Sequence, residues 1–152
     1  MVHLPSGQVL FALFVAVNLI AATVNHIDDT DETYGYWEPL HYLVYGVGLQ
    51  TWEYAPVFAI RTYSFIFPFS VFSFFLSKLG ISKLIVFRCI KCFLGGFAAY
   101  SETHFVGAVQ EKFGTDVGFV TTLLMLVSPG VFFSSTAFLP SAICMSLLML
   151  SN

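Results

Sequence analysis

Asp28, Asp29, Asp31 and Glu32 crowd together just after the first apolar run of this chain, and a train of amphipathic aromatics follows them: Tyr34, Tyr36, Trp37, Tyr42, Tyr45, Trp52 and Tyr54. Carboxylates beside hydrocarbon cost free energy, so such a group is either the solvated flank of a membrane helix or chemical machinery. The chemistry it suits is alcohol activation, in which an ionised carboxylate within hydrogen-bond reach of an attacking hydroxyl takes its proton. A lipid-linked donor would need that base at headgroup depth, with a cation to meet its phosphate. Asp31 and Glu32 answer the first need and Arg61 the second, although a long cation at that place also reads as a snorkelling anchor of the loop. Tyr36, Trp37 and Trp52 offer faces on which sugar rings could stack, and each also fits an interfacial aromatic belt.

Two rival chemistries find less support. Glu38 and His41 stand three apart on one helical face, as in half of a di-metal carboxylate site. No second Glu-x-x-His exists in the chain, so neither a metal nor another cofactor is expected. His26 and His41 read as interfacial hydrogen-bonding groups, Glu38 and His41 stand with Tyr36, Trp37, Trp52 and Arg61 as candidate substrate-binding residues, and no motif supports Ser/His/Asp nucleophilic catalysis. Cys89, Cys92 and Cys144 fall in apolar segments, where Cys89-x-x-Cys92 reads as small packing residues in a helix.

The elements that must position this loop are membrane helices. Hydrophobic residues make up 57% of the chain and aromatics 18%, against 10% charged, too little polar surface for a water-soluble domain of 152 residues. A crossing needs about 20 mostly apolar residues, and about four or five stretches approach that. They are Leu10 to Val24; Thr62 to Leu79, with a bend expected at Pro68; Leu84 to about Val109; and the run from Val117 to Leu150, punctuated by Pro129 and Pro140, which has room for one crossing or two. The first run also resembles a signal peptide, but no Lys or Arg precedes it. The expected class is therefore all-α, a polytopic protein with a long first loop, His26 to Arg61, that carries short interfacial helices. One helix should begin around Pro39 and break at Gly46 and Gly48, and Pro56 should end a second short element.

Lys78, Lys83, Arg88 and Lys91 cluster where the second and third runs meet, whereas the first loop is acidic. The positive-inside tendency puts that cluster, with the amino terminus, in the cytoplasm and the loop on the far side. The formal net charge of −3 mostly reports that loop, and no basic stripe suited to nucleic acid is present. The chain stops within an apolar stretch at Ser151-Asn152, which leads one to expect the amino-terminal part of a longer protein.

The runs Asp31-Glu-Thr-Tyr-Gly-Tyr-Trp-Glu-Pro-Leu-His41, Gly48-Leu-Gln-Thr-Trp-Glu-Tyr-Ala-Pro56, Lys112-Phe-Gly114 and Ser134-Ser-Thr-Ala-Phe-Leu-Pro-Ser141 are similar to the alpha-1,2-mannosyltransferases of asparagine-linked glycosylation and span nearly the whole chain. What this resemblance implies is a partial GT-C fold in the endoplasmic reticulum membrane, multi-pass, with a lumenal active site. The activity implied is inverting transfer of mannose from dolichyl-phosphate mannose to a dolichyl-diphosphate oligosaccharide, with membrane lipid as surroundings. It also implies that Asp31-Glu32 is the acidic pair, Asp31 acting as base. One departure is that the family usually carries Phe-Asn before Tyr-Trp-Glu-Pro where this chain has Tyr34-Gly35, a change expected to remove an amide and loosen the backbone there. Because the chain is short for the family, the alternative is a catalytically silent membrane isoform that scaffolds or competes with a longer enzyme.

Overall fold

The computed structural model describes residues 6–27 and 29–151, so Asp28 of the acidic cluster lies outside the described residues. All regular structure among them is helical. In chain order the elements are α1 (Gly7–Val24), α2 (Thr30–Glu32), a π-helical turn (Thr33–Trp37), α3 (Glu38–Tyr45), a 3₁₀ turn (Trp52–Tyr54), α4 (Phe67–Lys78), α5 (Lys83–Phe113), α6 (Thr115–Val127), α7 (Pro129–Ser134) and α8 (Pro140–Leu150). The chain forms two compact units, one of residues 1–25 with 91–152 and the other of residues 26–90.

The first unit is built on α1 and the larger part of α5. Leu10, Phe14, Ala99, Val106 and Met125 form its buried apolar cluster. Gly95 lets the helices close, since a Cβ there would lie 3.1 Å from the Asn18 carbonyl oxygen. At that crossing the buried Asn18 amide donates to the Gly95 carbonyl at 3.2 Å and to Glu102 Oε2 at 3.0 Å. Polar pairs of this kind join helices where neither water nor lipid can satisfy the groups. The end of α1 is tied down by Lys91 Nζ, which donates to the Asn25 carbonyl at 2.7 Å, while the Asn25 amide donates to the Phe132 carbonyl at 3.1 Å.

In the second unit α3 packs on α4. The start of α3 matches the expectation, with Pro39 in the first turn, where its missing N–H costs nothing. Its end falls at Gly46, whose φ of 72° is the left-handed conformation that glycine adopts without strain. α4 is turned inside out for a protein in water: Ser70 and Ser73 are buried, while Phe67, Phe72, Phe74 and Phe75 are exposed.

Two helices are long and apolar enough to cross a bilayer, α1 with 18 residues and α5 with 31. The expected run of four or five crossings is not reached by length, because Pro129 and Pro140 each open a new short helix and leave α6 with 13 residues and α8 with 11. The expected second crossing, Thr62 to Leu79, is likewise not reached by length. Pro68 begins that helix instead of bending it, and the 12 residues of α4 span about 18 Å, short of a hydrocarbon core of about 30 Å.

After this short helix, basic residues lie close to partners on the elements before it. Lys83 Nζ lies 3.0 Å from His41 Nε2, and Lys91 is bound to the carbonyl that ends α1.

Candidate functional site

α2 presents the acidic pair. Asp29 caps it, its Oδ1 accepting the Asp31 N–H at 2.8 Å, which satisfies a donor that a helix start otherwise leaves open. The chain then widens into the π-helical turn, whose longer period sets residues five apart side by side. Glu32 and Trp37 are such a pair: the indole Nε1–H donates to Glu32 Oε1 at 2.8 Å, and the Trp37 ring packs on Phe87 at 4.5 Å. Glu32 is thereby buried, whereas the Asp31 carboxylate is half exposed.

Arg61 organises the other half of the site. Its Nη2 pairs with Asp31 Oδ1, its Nε donates to Glu53 Oε2 at 2.9 Å, and its guanidinium lies 5.2 Å from the centre of the Tyr36 ring. The Arg61 and Ile60 backbone N–H groups also donate to the Glu53 carbonyl. Burial opposes the charge on Arg61, but the hydrogen bond and charge of Asp31 outweigh it and hold its pKa above the ordinary value. Asp31 Oδ2 has no partner among the described residues and remains open to a proton donor. Arg61 Nη1, shut away from solvent, meets no acceptor there either.

Gly35 makes this arrangement possible. A Cβ at that position would run into Arg61 Nη1 and lie 3.0 Å from its Cζ. The expectation that Tyr34-Gly35 loosens the backbone thus gives way to a steric one, because Gly35 is buried in the π turn and its vacant side is filled by the guanidinium.

The Gly35 carbonyl accepts the Tyr54 hydroxyl at 2.6 Å, which joins the Trp52–Tyr54 turn to the acidic segment. Tyr54 stacks on Tyr63 at 4.7 Å, and Tyr63 accepts a hydrogen bond from the Gln50 amide. Burial, partly offset by the Arg61 charge, pushes the Tyr54 hydroxyl up to about 12 from its ordinary 10. Folding therefore favours the neutral hydroxyl, so its contribution is complete below about pH 10 and is lost as pH climbs toward 12. Tyr54→Phe should cost about 1–2 kcal/mol at neutral pH, since a buried carbonyl loses its donor. In thermal melts of detergent-solubilised protein the gap between parent and variant should close across that alkaline window; a gap that persists would refute the assignment.

Of the residues expected to form the site, Asp31, Tyr36 and Arg61 come together, and Glu32 and Trp37 pair beside them. Glu38 and His41 face a different cavity, with no further His, Cys, Asp or Glu among the described residues to complete a metal-binding group. Trp52 stands apart, 60% exposed and edge-on to Phe58. Glu53, Gly35 and Tyr54 were missed by sequence reasoning. The string Gln50-Thr-Trp-Glu-Tyr54 carried a signal for Glu53, as the one carboxylate of the loop outside the segment from Asp28 to Glu38.

Residues 9–152 match the model of the Alg9-like mannosyltransferase family. The chain is 42% identical over 142 residues to the alpha-1,2-mannosyltransferase ALG9 of Mus musculus, covering 93% of this chain and 23% of that protein. It is 43% identical over 141 residues to alpha-1,2-mannosyltransferase alg9 of Schizosaccharomyces pombe, covering 93% and 24%, and 38% identical over 152 residues to ALG9 of Arabidopsis thaliana, covering 93% and 26%. It thus spans about a quarter of the length of these relatives. No solved structure matches it. With a family match that runs over nearly all its residues, the chain belongs to the Alg9-like mannosyltransferase family.

Proposed function

We propose that the protein carrying this chain transfers mannose from dolichyl-phosphate mannose, in alpha-1,2 linkage, to a dolichyl-diphosphate oligosaccharide in the lumen of the endoplasmic reticulum. The observation that carries this reading is the half-exposed Asp31 carboxylate, held by Arg61 with one oxygen left open, in a chain of this family.

In this mechanism the acceptor hydroxyl donates its hydrogen bond to Asp31 Oδ2. As its oxygen attacks the anomeric carbon from the face opposite the phosphate, the proton passes to Asp31. The bond from the anomeric carbon to the phosphate oxygen breaks, the electron pair leaves with dolichyl phosphate, and configuration inverts. Arg61 neutralises the departing phosphate with its charge and with the Nη2 N–H that Asp31 does not engage. Glu32 acts through Trp37, fixing the aromatic wall beside the base, while Tyr36 and the exposed Trp52 serve the sugar rings.

The membrane reading rests on α1 and α5 as full crossings, with the shorter apolar helices α6 and α8 belonging to a polytopic GT-C assembly in the endoplasmic reticulum. In it the segment from His26 to Ser82 is one lumenal excursion, and α4 lies along the interface with its phenylalanines toward lipid. Glycosylation acceptor sites inserted in the 46–51 segment and in the 79–82 turn, in microsomes, should both be modified. Modification of the first alone would restore the crossing at α4. Modification of neither, with the 46–51 segment open to protease from the cytosol, would end the transferase reading.

A further inference from the structure

A cavity of about 250 Å³ opens between α3, α4 and the first turn of α5; Trp37 forms part of its wall, while Asp31 and Arg61 do not line it. Its walls are mostly apolar, with Ile27, Val44, Val86 and Phe87 among them, and its few polar groups are mainly donors. Ser73 is 2% exposed, lines this cavity, and its hydroxyl has no partner. The Tyr45 hydroxyl, also at the cavity, is buried without one. Buried hydroxyls left unpaired are destabilising and call for an acceptor.

The cation beside them is Lys83. His41 Nδ1 lies 2.6 Å from the Val47 carbonyl and must donate to it, so in the neutral ring Nε2 is an acceptor and takes one Lys83 N–H at 3.0 Å. The ammonium also rests 4.4 Å from the centre of the Tyr45 ring, and its other two N–H groups have no acceptor among the described residues. Lys83 is the first residue of α5, where the positive end of a 31-residue helix adds to its charge. The one carboxylate lining the cavity, Glu38, is turned to the neighbouring loop, its Oε2 accepting the Leu49 N–H at 3.0 Å.

We propose that this cavity seats the phosphate head of a bilayer lipid, with Lys83, Ser73 and Tyr45 donating to its oxygens and the apolar chain running along Val86 and Phe87. An acceptor-rich anion answers the donors, and the apolar walls call for a tail, which a free sugar lacks. The site is a lipid anchorage that shares the Trp37 wall with the proposed reacting centre but contains neither Asp31 nor Arg61, and it rests on α5 entering the membrane at Lys83.

The test uses the chain reconstituted in phosphatidylcholine nanodiscs doped equally with phosphatidic acid and diacylglycerol, which share tails and differ in the phosphate. Retained lipid is read by native mass spectrometry. The parent should retain phosphatidic acid over diacylglycerol by about tenfold, the ratio one charge-assisted hydrogen bond gives. Lys83→Met and Ser73→Ala should lower that preference, Lys83→Arg should keep most of it, and Arg61→Gln should leave it unchanged. An equal preference in parent and Lys83→Met, or its loss in Arg61→Gln alone, overturns the proposal. Displacement by inorganic phosphate at matched concentration would show that the tail contributes nothing and overturn the lipid assignment. Failure of the chain to enter nanodiscs would sink the membrane reading and this site with it, whereas entry without preference would sink this site only.

Discussion

Asp31→Asn is expected to abolish mannose transfer while leaving the protein as abundant as before. The assay is complementation by the protein at its natural full length, in cells lacking the endogenous transferase, scored by the lipid-linked oligosaccharides that accumulate. Asparagine can keep its hold on Arg61 through its own oxygen, but its amide is a donor where the acceptor hydroxyl needs a proton acceptor. Loss of a general base costs about 100- to 10,000-fold in rate. Stability should barely change, because the Asp31 carboxylate is half exposed and such surface pairs contribute only about 0–1 kcal/mol. Transfer at near-parental rate would remove Asp31 from the mechanism.

Arg61→Gln should act on the donor. The side chain ties together Asp31, Glu53 and Tyr36, and the proposed reaction asks it to meet the leaving phosphate. Without one charge-assisted hydrogen bond to that phosphate, contributing about 1.5–3 kcal/mol, the KM for dolichyl-phosphate mannose should rise about tenfold to a hundredfold, with little change in acceptor KM. Arg61→Lys keeps the charge without the planar fork and should recover only part of this. A snorkelling anchor makes the opposite forecast, namely lower abundance with unaltered kinetics in the protein that remains. That pattern would assign Arg61 to the membrane edge and not to the phosphate.

Much of the loop was legible because its rules are local. Pro39 in a first turn and Gly46 at a left-handed end mark α3 in its own residues, and Pro56 stands just past the 3₁₀ turn, after Ala55, as expected. The same locality misled at α4. Its phenylalanine-rich run has the composition of a crossing, and hydropathy counts apolar residues without knowing which of them face a partner. Buried Ser70 and Ser73 face inward and the phenylalanines outward, an arrangement that an average over the window erases. Counting charges along the chain likewise carried no sign that Lys83 lies beside His41 of the acidic loop.

Chain composition alone determined that this protein is helical, apolar and equipped with one acidic, aromatic segment, because helix length, hydropathy and turn chemistry are written in neighbouring residues. Only the tertiary structure decided that Asp31 pairs with Arg61, 30 residues on, that Glu53 holds the same guanidinium, and that Gly35 leaves room for it. It likewise decided that α4 folds back on α3 and keeps Lys83 beside His41. Such pairings depend on how the chain closes on itself, and sequence separation carries no record of that closure.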